Sequence, residues 1–188
     1  MKDARIIHID VDPAELNKNV DSTISIKGDV KEIVGELLKR VKKQEHPAWW
    51  QHIKEYQKAE KECMVQTGNG LTPYAIIDEL CKFTDDDTVV ATDVGQHQMW
   101  TAQRYRFEKP YTFLTSGGLG TMGYGMGAAI GSCVADGKRT VLITGDGSFG
   151  MNLNEMATAV SNNLPLIVII MNNGVLGMVR QWQTLFYD

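Results

Sequence analysis

Residues 140–174 read TVLITGDGSFGMNLNEMATAVSNNLPLIVIIMNNG, and this stretch decides the fold. Its two apolar runs, TVLIT and LIVIIM, are continuous rather than alternating, as in strands covered on both faces. Between them, NLNEMATAVSNN places Leu153, Met156, Ala157 and Val160 on one helical face, with Asn152 and Glu155 spaced as a capping box and Pro165 as the stop. Strand, helix and strand in this order predict a parallel α/β sheet with helices on both faces. Each run ends in a small polar cluster, Gly145–Ser148 (GDGS) and Asn172–Gly174 (NNG). Ligands in such sheets sit at the carboxyl ends of the strands.

The same rhythm extends upstream. TPYAIIDELCKF (72–83) predicts a helix with Thr72 as cap and Pro73 in the first turn. TVVAT (88–92) is a short buried strand, followed by the polar cluster Asp93–Gln98. GTMGYGMGAAIGSCVA (120–135) is a small-residue helix, expected to pack closely on the sheet through Gly127, Ala128 and Gly131. Before residue 46 the pattern differs. ARIIHIDVD and STISIKGD read as strands, and DVKEIVGELLKRVKK as an amphipathic helix capped by Asp29, with Ile33, Leu37, Leu38 and Val41 at helical spacing. KKQEHPAWWQHIKEYQKAEKEC reads as a surface helix after Pro47 and a connector, with Trp49 and Trp50 as packing residues. Two units are expected: residues 1–45, the tail of one α/β domain, and residues 46–188, a second.

Composition narrows the partners. The net charge is −4 with no long basic run, which argues against nucleic acid. The longest uncharged apolar run, LPLIVIIM, is too short to span a bilayer. The charged, strand-like start argues against a signal peptide. Cys63, Cys81 and Cys133 form no C-x-x-C pair and read as buried free thiols in a reducing compartment.

Two readings of the glycines compete. Gly118, Gly120 and Gly123 spell G-x-G-x-x-G, and Asp146 lies 23 residues past Gly123, as in a dinucleotide site. That reading needs a good strand running into the glycines, whereas RYRFEKPYTFLTS carries charges, a proline and only a short apolar stretch. It also leaves Asn172 and Asn173 unexplained. The other reading pairs Asp146 with Asn173, 27 residues apart with one helix between them. Oxygen ligands with a single charge suit Mg²⁺ or Ca²⁺ rather than zinc, and Mg²⁺ shares its shell with phosphates. Gly145 and Gly147 let backbone N–H groups approach a phosphate. The residues thus point to a metal–diphosphate site. A non-catalytic scaffolding module is a third reading, against which the glycine-rich strand ends argue.

GDGS followed by Asn-Asn after a strand resembles the thiamine-diphosphate motif. The wider segments VGQHQMW, TSGGLGTMGYG, GDGSFGMNLNE and NNGVLGMVRQWQTLFYD resemble the catalytic large subunit of the acetolactate (acetohydroxyacid) synthase family over almost the whole chain. RIIHIDVDPAELNKN resembles the close of that family's middle domain, and the part from about His46 its diphosphate-binding domain. The resemblance implies Mg²⁺ bound by Asp146, Asn173 and the Val175 carbonyl. It places Gly147 and Ser148 on the diphosphate, with Gln96 and His97 on its other side and Val94 and Gly95 shaping their loop. Leu176, Gly177 and Met178 line the cofactor cleft. Gly120 and Met122 meet the aminopyrimidine, the Met122 side chain holding the cofactor bent, and Trp182 lines the substrate channel. On the residues alone, His97 also reads as a core histidine, and Met178 and Trp182 as one helix face.

The implied activity condenses two 2-keto acids, pyruvate with pyruvate or 2-ketobutyrate, with loss of CO2, in branched-chain amino-acid biosynthesis. Other thiamine-diphosphate decarboxylases, oxidases or carboligases share Asp146 and Asn173; GMVRQWQ distinguishes this branch. The resemblance further implies homo-oligomers, a small regulatory subunit, a cytoplasmic or plastid location, and FAD as a further cofactor of a full-length parent. The family's activating glutamate lies in an N-terminal domain not found in these residues. The chain is therefore expected to be a fragment, with half the cofactor site and no turnover alone.

Overall fold

The computed structural model describes residues 4–63 and 70–187. The chain divides into two compact units, Met1–Val65 and Gln66–Asp188.

In the first unit, β1 (Ile7–Asp10) and β2 (Ile24–Lys27) pair in parallel, with Ile7 opposite Ile24. Asn17, at φ 63°, ties the loop between them. Its Oδ1 accepts from the Ser22 amide at 2.8 Å and its Nδ2 donates to Ser25 Oγ at 3.0 Å. Helix α1 (Val30–Leu38) is capped by Asp29, which accepts from the Lys31 amide at 2.8 Å. Helix α2 spans Pro47–Cys63. Trp49 and Trp50, expected to pack, are 66% and 59% exposed. Adjacent residues on a helix point about 100° apart, so one narrow apolar stripe does not hold both. On α2, of the residues described, only Ile53 is half-buried.

The second unit is a four-stranded parallel sheet in the order β4-β3-β5-β6. Its strands are β3 (Val89–Thr92), β4 (Phe113–Thr115), β5 (Thr140–Gly145) and β6 (Leu166–Met171). Helix α3 (Pro73–Phe83) starts as expected: the Thr72 hydroxyl accepts from the Ala75 amide at 3.2 Å, with Pro73 in the first turn. With α4 (Gln96–Arg104) it covers one face of the sheet. There Ile77, Val90, Tyr105, Val141 and Ile143 form a core. Helix α5 (Tyr124–Asp136) packs with Ala91, Met126, Ala129 and Leu142 on the other face. Neighbouring residues of β3 and β5 thus serve opposite cores, which is why Val90 and Ala91, and likewise Val141, Leu142 and Ile143, are all apolar and buried.

Four expectations need correction. The packing stripe of α5 is Gly125, Met126, Ala129 and Cys133, with Ala128 half-buried, while Gly127 and Gly131 face open space. A Cβ on Gly125 would lie 2.7 Å from Leu142 Cδ1 and 2.8 Å from the Asp93 nitrogen, so that glycine sets the helix rotation. Asn152 caps nothing: it ends α6 (Asp146–Asn152), and its Nδ2 donates to the Gly123 carbonyl at 2.5 Å. A 3₁₀ turn (Leu153–Glu155) then leads into α7 (Met156–Ser161). Among the described residues strand β6 lies at one edge of the sheet and β4 at the other, and Ile167 and Ile170 are exposed rather than buried. Finally, RYRFEKPYTFLTS does contain a strand, β4, but the chain turns helical only after Gly123, which lies at φ 82°. Gly118, Gly120 and Gly123 therefore form a loop and not the first turn of a helix. Cys133 is buried and Cys81 half-buried, both free; the side chain of Cys63 lies outside the described residues.

Candidate functional site

The connections around β3 and β5 leave in opposite directions. From β3 the chain runs through α4 outward to β4; from β5 it runs through α6 and α7 outward to β6. The carboxyl ends of β3 and β5 thus flank a topological switch point, where the diverging loops leave a crevice. A cavity of about 440 Å³ opens there. It is walled by Val94–His97 after β3, Gly120 and Met122 after β4, Gly145–Ser148 after β5, and residues beyond β6 that include Asn173 and Val175.

Helix α8 (Gly177–Phe186) closes one side through Gly177, Met178 and Trp182, with Leu176 just before it. Every site residue expected from the sequence lies on this wall. Trp100, Met171, Val179, Gln183 and Tyr187 join them without having been singled out. Trp100 lies one helical turn after Gln96, and Val179, Gln183 and Tyr187 recur at four-residue spacing, so helical periodicity was the signal available.

The GDGS segment is not an open turn. Gly145 ends β5 and Asp146 begins α6, with Asp146 half-buried. Ser148 is buried, and its hydroxyl donates to the Val94 carbonyl at 3.2 Å, joining the two strand-end loops. A Cβ on Gly147 would strike Leu176 Cδ2 at 2.5 Å and touch Met122 Cε at 3.8 Å. The Met122 side chain therefore reaches toward the GDGS segment. Beyond β6, Asn173 Oδ1 accepts from the Val175 amide at 3.1 Å, in a turn that exposes Asn173 and leaves its oxygen one further lone pair.

His97 is 5% exposed and sits against Gly95 and Gly145. Its Nε2 is buried and has no hydrogen-bond partner among the described residues. Burial lowers the imidazole pKa from 6.5, against the opposing pull of the Asp93 charge, a hydrogen bond to the Asp93 backbone, and Asp146. The ring is thus neutral near pH 7, with one nitrogen left for a ligand. A buried polar atom without a partner is costly, and a bound group at the cavity would supply one. Among the described residues no three His, Cys, Asp or Glu side chains cluster to hold a metal. A cation here would need amide, carbonyl or ligand oxygens besides Asp146, as Mg²⁺ accepts.

The family model "Thiamine pyrophosphate enzyme, C-terminal TPP binding domain" matches residues 93–188, half of the chain. The chain is 45% identical over 187 residues to the acetolactate synthase isozyme 1 large subunit of Escherichia coli (strain K12), covering 98% of this chain and 33% of that protein. It is 39% identical over 195 residues to the isozyme 3 large subunit of the same organism, with 98% and 34% covered. To the acetolactate synthase large subunit of Buchnera aphidicola subsp. Schizaphis graminum (strain Sg) it is 41% identical over 190 residues, with 98% and 33% covered. The chain spans about a third of the length of these curated relatives.

Proposed function

The chain belongs to the thiamine pyrophosphate enzyme family, and on that premise we propose that its strand-end cavity holds the diphosphate end of thiamine diphosphate with Mg²⁺. The observation that carries this reading is convergence. Asp146, Asn173 and the adjacent Gln96 and His97 come from three separate strand-end segments, yet wall one cavity at the switch point of the sheet. Asp146 and Asn173 would hold Mg²⁺ with the Val175 carbonyl, a set of hard oxygens with one formal charge that leaves room for phosphate oxygens. Gly147 and Ser148 would meet the diphosphate beside the metal, and the unpartnered His97 Nε2 lies in the opposite loop. Met122, already directed toward Gly147, would support the bent cofactor, and Gly120 would present backbone groups to its flat ring.

Bound thiamine diphosphate supplies the carbon nucleophile and electron sink that 2-keto-acid chemistry requires. The chain's own residues bind, orient and exclude water. Trp182 and Met178 would form the apolar side on which a keto acid sits. By likeness to large-subunit acetolactate synthases, the reaction is the condensation of pyruvate with pyruvate or 2-ketobutyrate with loss of CO2, in branched-chain amino-acid biosynthesis. A smaller companion subunit fits the relatives' designation as large subunits. Among the described residues no helix is long and apolar enough to cross a membrane.

Calorimetry tests the cofactor. Thiamine diphosphate is expected to bind saturably only with Mg²⁺ present, and a nicotinamide dinucleotide not to compete. Equal heats with and without Mg²⁺, or displacement by the dinucleotide, would overturn the reading. In a protein of the relatives' full length that carries this chain, pyruvate with 2-ketobutyrate should yield acetohydroxybutyrate alongside acetolactate. Acetaldehyde or acetyl phosphate as the main product would favour a decarboxylase or oxidase.

A further inference from the structure

Asp93 follows β3 and is 1% exposed. A carboxylate this deep is costly unless it is compensated, and among the described residues no lysine or arginine pairs with it. Its partners lie on the segments that lead into the cavity wall or away from it. Oδ1 accepts from the Gly125 amide at 2.8 Å, in the first turn of α5. This is an amide that the helix itself leaves without a partner, at the positive end of its dipole. Oδ2 accepts from the Thr144 hydroxyl at 2.8 Å, one residue before Gly145 and two before Asp146. The Asp93 amide donates to the Ile143 carbonyl at 3.2 Å, and Asp93 opens the segment that carries His97 four residues on. One residue thereby touches the segments that carry His97, the Gly145–Ser148 turn, and the helix entered from the Gly120–Met122 loop.

We propose that Asp93 is a positioning residue of this site, its carboxylate fixing the spacing between the Gly145–Ser148 turn and the Gly120–Met122 loop before a ligand arrives. Each carboxylate oxygen accepts from a different segment, so the side chain orients both the Gly125 N–H and the Thr144 O–H inward. Gly125 has no room for a side chain against Asp93, so this contact sets how close the helix lies. The identity of the ligand rests on the thiamine-diphosphate reading; the alignment of the three segments does not. Loops held in the bound geometry bind more tightly because less ordering remains to be done.

The test uses the full chain with Thr144→Val, which removes the hydroxyl donor, Thr144→Ser, which restores it, and Asp93→Asn. Amide hydrogen exchange is read without ligand, and affinity for thiamine diphosphate with Mg²⁺ by calorimetry. Thr144→Val is expected to speed exchange of the 145–148 amides about tenfold, with the central amides of β3 and β5 changed less than about twofold. It should weaken cofactor binding about tenfold, and Thr144→Ser should recover both to within about twofold. Unchanged exchange at 145–148 in Thr144→Val, or a lowered melting midpoint with unchanged affinity, would overturn the proposal. If the unsubstituted chain does not bind thiamine diphosphate with Mg²⁺, the ligand reading fails, and the exchange pattern alone decides the positioning role. If Asp93→Asn does not fold, the Thr144 pair decides it.

Discussion

Gln96 Nε2 donates to Gln181 Oε1 at 3.0 Å, joining the helix after β3 to the helix after β6 across 85 residues of sequence. The Gln96 Oε1 lies where a side chain on Gly177 would begin, and Asn173 Nδ2 would stand 3.0 Å from that same Cβ. Gly177→Ala should push the flexible Gln96 tip aside and break its bond to Gln181. The loss expected is about 1 kcal/mol of stability, the worth of one such hydrogen bond. In a Gln96→Ala background Gly177→Ala should cost clearly less, and a double-mutant cycle by denaturant unfolding measures the difference. Strict additivity would show that the two helices are not coupled through this contact.

Glycines of α5 should respond oppositely to alanine. At Gly125 the new methyl meets Leu142 Cδ1 at 2.7 Å and the Asp93 backbone at 2.8 Å, so Gly125→Ala is expected to destabilise by about 1–3 kcal/mol, as overpacking does. At Gly127 and Gly131 nothing lies within 4 Å. There alanine should stabilise by about 0.5–1 kcal/mol, the helix-propensity difference. Thermal melts of the three variants check the order. A neutral Gly125→Ala would mean that α5 is free to back away from the sheet.

What the sequence disclosed followed what is local. The runs TVLIT and LIVIIM, each ending in polar residues, located the site because apolar continuity and a strand-end cluster are both short-range signals. Asn152 misled because its capping-box spacing is local, while its actual partner, the Gly123 carbonyl, is 29 residues away. Gly127 and Gly131 misled because small size permits close packing without saying which side of the helix faces the sheet. That choice is made by the contact of Gly125 with Asp93. The exposure of β6 was hidden because periodicity does not separate an edge strand from a central one. Asp93 read as one more polar residue at a strand end, since burial of a carboxylate leaves no mark in the sequence.

Acid should weaken the tie between α3 and α4. Arg104 donates to both Asp78 oxygens, at 2.6 and 2.7 Å. The Arg104 hydrogen bonds hold the Asp78 carboxyl below its ordinary 3.8. A carboxyl depressed in the folded state contributes stability above about pH 3.8 and loses it as pH falls through the folded value. Asp78→Asn should lower stability at pH 7 and flatten the acid limb of the stability curve below pH 4. Parallel acid limbs for both proteins would contradict the pairing.

The most direct test is an amide-resolved NMR titration of the chain with thiamine diphosphate and Mg²⁺, repeated with Asp146→Ala. Shifts are expected at Gln96–His97, Gly145–Ser148 and Asn173–Gly177 together, saturating at one ligand concentration, and to disappear without Mg²⁺ or with Asp146→Ala. Shifts confined to one of these segments, or unchanged by removing Mg²⁺, would contradict a single metal–diphosphate site at the ends of β3 and β5.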